Sequence, residues 1–483
     1  GLLPYIYVPL SALTMPKDTW GDQRTISGFM THLLRKEYGT FQLAASEIGG
    51  GPGFFHKLAK YASVSSREFF YLPIPFFLAG VLASLGSFAS RYGWKRTGLF
   101  WILIGYVSYI VVFLALSNLS FEPLFLGVQK RLWMQGSLCM LFFAGIGLNL
   151  ITSELLQVKI NRRDGSVKTQ YLSMIQRSIK AISVFALASA LLVLNFRKVD
   201  HHRNNVVEIY GKRILDSMPD QAILLVNGDL NNNAVKYMQQ CEEFRQDLDI
   251  LGMQQMSWPW WVAMHRHHYP NITLPGNRYH VGIPGSFNMK QFLDANTDRP
   301  IFMCGQWKYG DASVKDVYET LPYGACEKII KKDTLPDDLT EYFSRSWKAL
   351  PKMEDTGPYN SRLYGNETWE NMVYRDMWNR MVHLSSVVSF YSFENKEDTK
   401  LLNLSKRIFD YIFSRDMFSL LKSKNVYRSS DYRAGGIIYG KWAAGKKGYS
   451  KAEAEKTMIR LWEKYLKLEP EDSELENFVK YKI

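Results

Sequence analysis

Three long stretches of the chain carry no charge: between Glu68 and Arg91, between Arg96 and Glu122, and between Arg131 and Glu154. Crossing a bilayer takes about 20 apolar residues, so each is long enough. A fourth run, 181–196, is shorter, but Lys180 and Arg197 at its ends can extend their charged heads to the interfaces and let it cross. The pattern predicts spans over 69–90, 97–121, 132–153 and 181–196. The opening GLLPYIYVPLSAL reads as the tail of an earlier span, and the chain is expected to lack its N-terminus.

After Arg197 the pattern changes. A helical pattern at 207–217 leads to the apolar run AILLV at 222–226, the turn Asn227-Gly228-Asp229 and a second helix through Tyr237 and Phe244. Further short apolar runs follow: LDILG from Leu248, PIFMC from Pro300 and CEKII from Cys326. Short continuous apolar runs alternating with helices are how buried strands of an α/β sheet read, which predicts an α/β domain over 197–335. From Asp337 the chain turns helical, with helices predicted over 369–393 and 401–413. Met458, Leu461, Trp462, Tyr465 and Leu466 recur at helical spacing, with Tyr439 and Trp442 on the preceding helix. Residues 336–483 therefore read as a helical domain, either a degenerate tetratricopeptide-like pair or an ordinary array of helical hairpins. The fold class is a polytopic α-helical membrane bundle (1–196), then the α/β domain, then this tetratricopeptide-like region.

The mean hydropathy of −0.18 averages two unlike halves and is no sign of a wholly soluble chain. A net charge of +13 would suit nucleic acid, yet no zinc-ligand spacing, compact basic helix or RNA-binding signature accompanies it, so no nucleic-acid partner is expected. Much of the excess sits beside the apolar spans and reads as topology. RYGWKR carries Arg91, Lys95 and Arg96 without an acid, and the 157–180 loop carries six Lys or Arg against Asp164, which places both loops in the cytoplasm. Alternation then puts the 14–68 loop, the 122–131 loop and everything after Arg197 on the lumenal side. All four N-x-S/T sequons, at Asn118, Asn271, Asn366 and Asn403, fall there as candidate glycosylation sites. So do Cys241, Cys304 and Cys326, one pair and one spare. Cys304 with Cys326 is the expected disulfide in an oxidising compartment, although spacing does not fix connectivity.

The candidate chemistry centres on Trp20–Phe41, WGDQRTISGFMTHLLRKEYGTF. From Thr25 the segment reads as a helix stopped by Gly39, and at helical spacing His32 shares a face with Arg35 and Lys36. Two cations and an imidazole on one face suit a phosphate; the competing reading is a solvated amphipathic helix on the membrane surface. Asp229 lies just past a strand end, where ligands bind in open α/β sheets, but without a dinucleotide fingerprint it reads as a helix cap. Trp258, Trp260 and Trp261, followed by His265, Arg266, His267 and His268, suit a sugar or peptide platform or an interfacial anchor. The histidines lack a helical i, i+4 pair and a carboxylate at ligand spacing, so no metal is expected.

In order and spacing, PYIYVPL, WGDQRTISGFMTHLLRKEYG, LFLGVQKRLWMQG and ILDSMPDQAILLVNGD resemble the eukaryotic transmembrane O-mannosyltransferases that modify TIG (IPT) domains of plexins and of the hepatocyte-growth-factor receptor group. The resemblance covers nearly the whole chain. It implies a GT-C type glycosyltransferase, multi-pass in the endoplasmic reticulum membrane with its C-terminal domain lumenal. Such an enzyme takes mannose from dolichyl phosphate mannose and places it on Ser or Thr, with no cofactor. The acidic motif of the family, Asp-Ser-Gly-Glu, does not occur in this chain, so the main catalytic acid is expected upstream of Gly1. Asp22 is the best acid left, as an acceptor-orienting group or second base. The cations that would offset charge on the leaving phosphate are sought among Arg24, Arg35, Lys36 and Arg131, with His32 beside them. Rival readings are a non-catalytic lumenal scaffold anchored by the membrane part, and a lipid-linked sugar transferase with a glycan acceptor.

Overall fold

The computed structural model describes residues 3–36, 51–89, 94–155, 167–307, 311–356, 365, 368–394, 398–414, 429–445 and 448–482. The chain divides into two compact units, Gly1–Met30 with Asn204–Ile483, and Thr31–Arg203. Helices α1 (Leu3–Ala12) and α2 (Ile26–Leu33) open the chain.

The unit Thr31–Arg203 is built from α3 (Phe54–Glu68), α4 (Ile74–Ala89), α5 (Trp94–Leu116), α6 (Pro123–Leu155) and α7 (Val167–Val199). Among the described residues, three stretches are long and apolar enough to cross a membrane: Gly98–Leu116, Phe125–Thr152 and Arg177–Phe196. Phe185, Leu192 and Val193 on α7 are exposed, an apolar face suited to hydrocarbon. The span predicted over 69–90 is shorter than expected. Phe70 and Tyr71 adopt left-handed backbone conformations, and the helix begins only at Ile74, after Pro73. Its 16 residues reach about 24 Å, less than a typical hydrocarbon core. The other boundaries also move, since α6 runs back to Pro123 and turns the predicted 122–131 loop into helix.

Helices α4 and α6 touch through their backbones. A Cβ at Gly80 would lie 1.9 Å from the Phe143 carbonyl oxygen, and one at Gly147 would lie 1.8 Å from that of Phe76. Small residues at such crossings are how membrane helices pack where no hydrophobic effect drives them together. Around Tyr61, Ile110, Leu114 and Trp133 a small core joins α3, α5 and α6. The buried Lys57 of α3 donates to the Leu114 and Ser117 carbonyls, which satisfies the open end of α5.

In the other unit, α8 (Val206–Ser217) precedes β1 (Ile223–Val226), α9 (Asp229–Gln240), β2 (Asp249–Gly252), α10 (Met253–Met256), α11 (Trp261–His265), α12 (Met289–Asp294), β3 (Ile301–Cys304), β4 (Tyr318–Tyr323) and β5 (Cys326–Lys331). The sheet order is β2-β1-β3-β5-β4. β1 pairs parallel with β2 and β3, and β5 pairs antiparallel with β3 and β4. The four expected strands are present. The fifth, β4, has the sequence YETLPY, whose Glu319 and Pro322 interrupt an apolar run, as an edge strand allows.

Side chains alternate across β1, so Ile223 and Leu225 face one layer and Leu224 and Val226 the other. The first layer contains Trp261, Tyr269, Phe287 and Phe292. The second is shared with the helices that follow: α13 (Leu339–Ala349), α14 (Met353–Thr356), α15 (Trp369–Glu394), α16 (Thr399–Ser414), α17 (Ser429–Ala444), α18 (Tyr449–Leu466) and α19 (Ser473–Lys482). Leu224, Val226 and Phe302 belong to one continuous core with Phe343, Trp378, Ile408 and Met458. Sheet and helical region are therefore fused across residues 335 and 336. Cys304 and Cys326 form a disulfide that ties the end of β3 to the start of β5.

Candidate functional site

The segment Met15–Arg24 lies along the α/β domain as a strap. The Nε2–H of His268 donates to the Met15 carbonyl at 2.8 Å, and that of His265 to the Thr19 carbonyl at 3.3 Å. Trp20 sits edge-on between Trp258 and Trp260, with ring centroids 6.2 and 6.0 Å away. Lys17 bonds Gln239 at 3.2 Å and lies over the Tyr269 ring. Asp18 pairs with the buried Lys236 and also accepts from Gln240. Burial pulls the Lys236 ammonium below the ordinary lysine range, while Asp18 pulls it back. Desolvation is also the main reason the His265 imidazole is lowered to about 4. The Trp and His cluster thus holds this chain's own strap, with ring N–H groups of His265 and His268 donating to its backbone. Among the described residues no group of three or more His, Cys, Asp or Glu is placed to hold a metal ion.

At the end of the strap Arg24 grips Asp22 with two hydrogen bonds, Nε to Oδ1 at 2.8 Å and Nη2 to Oδ2 at 3.0 Å. Those bonds hold the Asp22 carboxyl below its usual range, making it a secure anion and a weak base. Gly28 of α2 is required beside them, because a Cβ there would lie 1.7 Å from the Asp22 carbonyl oxygen.

The predicted helix through residue 39 is cut short, with Gly39 outside the described residues. Helix α2 ends at Leu33, and Arg35 takes a left-handed conformation with φ 51°. Its N–H donates to the His32 carbonyl and that of Lys36 to the Thr31 carbonyl, both at 3.0 Å. This paired bonding is a Schellman motif with Arg35 where glycine is usual. His32, Arg35 and Lys36 therefore do not form one helical stripe. His32 is on the last turn, and the two cations leave from the C-cap that follows. The side chains of His32, Lys36 and Arg131 make no hydrogen bond or ion pair among the described residues, and Arg131 is exposed on α6.

Asp229 is exposed and makes no cap: Gly228 is the N-cap of α9, with φ 85°, and Asp229 is the first helical residue. Of the sequon residues, Asn271 and Asn403 are exposed and Asn118 is half-buried; Asn403 accepts from the Trp442 indole at 2.8 Å. Asn366 lies outside the described residues. Two sets of polar residues escaped the sequence reading. Asp18 and Lys236 are joined across more than 200 residues, which no local pattern signals. Asp376, Asn379, Arg380 and His383 recur at i, i+3, i+4 and i+7, a helical stripe that could have been found.

Three membrane-length apolar helices, a five-stranded α/β sheet and a helical region fused to it define a membrane protein with a large extramembrane part. Residues 207–311, from α8 past β3, match the family model described as TMEM260-associated domain 2. The chain is 30% identical over 474 residues to the Protein O-mannosyl-transferase tmem260 of Dictyostelium discoideum, covering 96% of this chain and 57% of the relative. It is 29% identical over 389 residues to the Protein O-mannosyl-transferase TMEM260 of Mus musculus, covering 78% of this chain and 52% of the relative. It is thus a homologue of the TMEM260 proteins, whose names denote mannosyltransferases, and it spans little more than half of their length. No solved structure matches it.

Proposed function

We propose that the chain forms part of a protein O-mannosyltransferase that moves mannose from dolichyl phosphate mannose to Ser or Thr of TIG/IPT domains in the lumen of the endoplasmic reticulum. The observation that carries this reading is the 30% identity, along 96% of the chain, to a protein named for that enzyme class. In this reading the membrane helices form part of a GT-C type bundle, and the tail is tetratricopeptide-like.

The acceptor hydroxyl attacks C1 of mannose, the bond from C1 to the phosphate oxygen breaks, and the hydroxyl proton passes to a carboxylate. Negative charge grows on the leaving dolichyl phosphate, and cations lower that barrier. Arg35 and Lys36, leaving a helix end, and Arg131, exposed on an apolar helix, are the cations assigned to it, with His32 as a further donor. Asp22 is better suited to orient Arg24 than to take a proton, because Arg24 already occupies both of its oxygens.

The test is mannosyl transfer to a purified TIG domain by the full-length protein in membranes supplied with dolichyl phosphate mannose. Arg131→Ala should cut transfer at least tenfold, as expected when a charge-stabilising group is lost, with correctly inserted protein still present. No transfer by the wild type to any TIG domain would overturn the acceptor assignment and favour the anchored scaffold.

A further inference from the structure

In the sheet order β2-β1-β3, the connection from β1 leads to one side and β3 lies on the other, so the strand order reverses between β1 and β3. Open α/β sheets bind ligands in the crevice outside the carboxyl ends of the strands at such a point. Here the strand ends are Val226 and Cys304, and beyond them the chain is drawn close. Gly305 has φ 108°, and a Cβ there would lie 2.5 Å from the Asn227 carbonyl oxygen. The Asn227 amide donates to the Gln306 carbonyl at 2.8 Å. The disulfide holds the same place, since Cys304 precedes Gly305 and Cys326 precedes Glu327.

Against this floor lies a cleft of about 490 Å³, a ligand-sized volume, whose wall is the polar stripe of α15. Its polar groups are already oriented. Arg380 bonds Glu327 at 2.9 Å and the Gly305 carbonyl at 3.2 Å. Asp376 accepts from the Tyr210 hydroxyl at 2.6 Å and stands 3.7 Å from the Arg380 guanidinium. His383 is 4.0 Å from Glu327 and about half exposed, and Asn379 beside it is also exposed. Helix α15 buries Val373, Met377, Trp378, Met381 and Leu384 against the core and turns Asp376, Asn379, Arg380 and His383 toward the cleft.

The charges nearly cancel. Arg380 offsets Glu327, burial pushes the Asp376 carboxyl up toward its neutral form, and burial pushes the His383 imidazole down toward its own. An anion would meet two carboxyl groups, and a cation would meet Arg380. A ligand whose groups each both donate and accept, without net charge, meets complementary partners at Glu327, Asn379, Arg380 and His383.

We propose that this cleft is a binding site for a neutral, hydroxyl-rich ligand of the saccharide class, separate from the cations assigned above to the donor phosphate. The assignment does not depend on the transfer reaction and stands or falls by binding alone.

The experiment is carbethoxylation of His383 in the full chain in lipid nanodiscs, read by peptide mass spectrometry. Methyl α-mannopyranoside, methyl α-glucopyranoside and inorganic phosphate are supplied separately at tens of millimolar, with the exposed His280 as internal control. At least one glycoside should slow modification of His383 several-fold while leaving His280 unchanged. The exposed Asn379→Leu should abolish that protection with an unchanged melting temperature. The proposal is overturned if neither glycoside protects, if phosphate protects as well as they do, or if Asn379→Leu is protected like the wild type. Should Asn379→Leu fail to fold, Ser386→Val on the same wall serves in its place, with the same expected loss.

Discussion

Arg35 holds two roles that a substitution can separate. Its backbone is left-handed, where a side chain costs about 1 kcal/mol that glycine would not pay. Its guanidinium is assigned to the donor phosphate. Arg35→Gly should therefore stabilise the end of α2 by a few tenths to about 1 kcal/mol, seen as a small rise in melting temperature, while mannosyl transfer falls. A change that helps the fold and harms transfer shows that the cation is kept for chemistry. If activity survives Arg35→Gly, the phosphate assignment moves to Lys36 and Arg131.

At the scale of elements, Gly80 and Gly147 fix how α4 meets α6. Gly147→Val would force a side chain to within 1.8 Å of the Phe76 carbonyl, so the helices must part. The expected cost is 1–3 kcal/mol or more, read as a lower unfolding temperature in detergent, whereas Gly145→Val, with open space around it, should change little. Equal effects would mean that the close crossing does not hold the pair. The pattern of the sequence already located most of these elements. Continuous apolar runs marked β1, β2, β3 and β5, and helical periodicity marked α15 and α16. What it could not give were the breaks set by backbone conformation. The left-handed Phe70, Tyr71 and Arg35 are not residue types that announce a turn, so apolar and helical periodicity alone extends the first span and α2 past their true ends. Nor does local pattern reveal which distant polar groups meet, which is why the Asp18–Lys236 pair and the meeting of Glu327 with Arg380 emerged only in three dimensions.

At the scale of the whole molecule, the unit that joins Gly1–Met30 to Asn204–Ile483 depends on contacts between residues more than 200 positions apart, and His265 stands under them. It is 1% exposed, with Asp18, Lys236, His268 and the Thr19 carbonyl around it. Its folded pKa of about 4 lies below the ordinary 6.5, so the unfolded chain takes up a proton that the folded one refuses between those values. The stability contributed by neutral His265 is complete above about pH 6.5 and is lost as pH falls toward 4, up to about 3 kcal/mol. Acidification from neutral pH to pH 5 should therefore lower the melting temperature of the intact protein and open the strap to proteolysis near Thr19. His265→Gln keeps an N–H for that carbonyl and cannot titrate, so its melting temperature should vary less over the same range. An identical slope in the variant would assign the acid sensitivity to groups other than His265 and leave the strap's hold on His265 independent of pH.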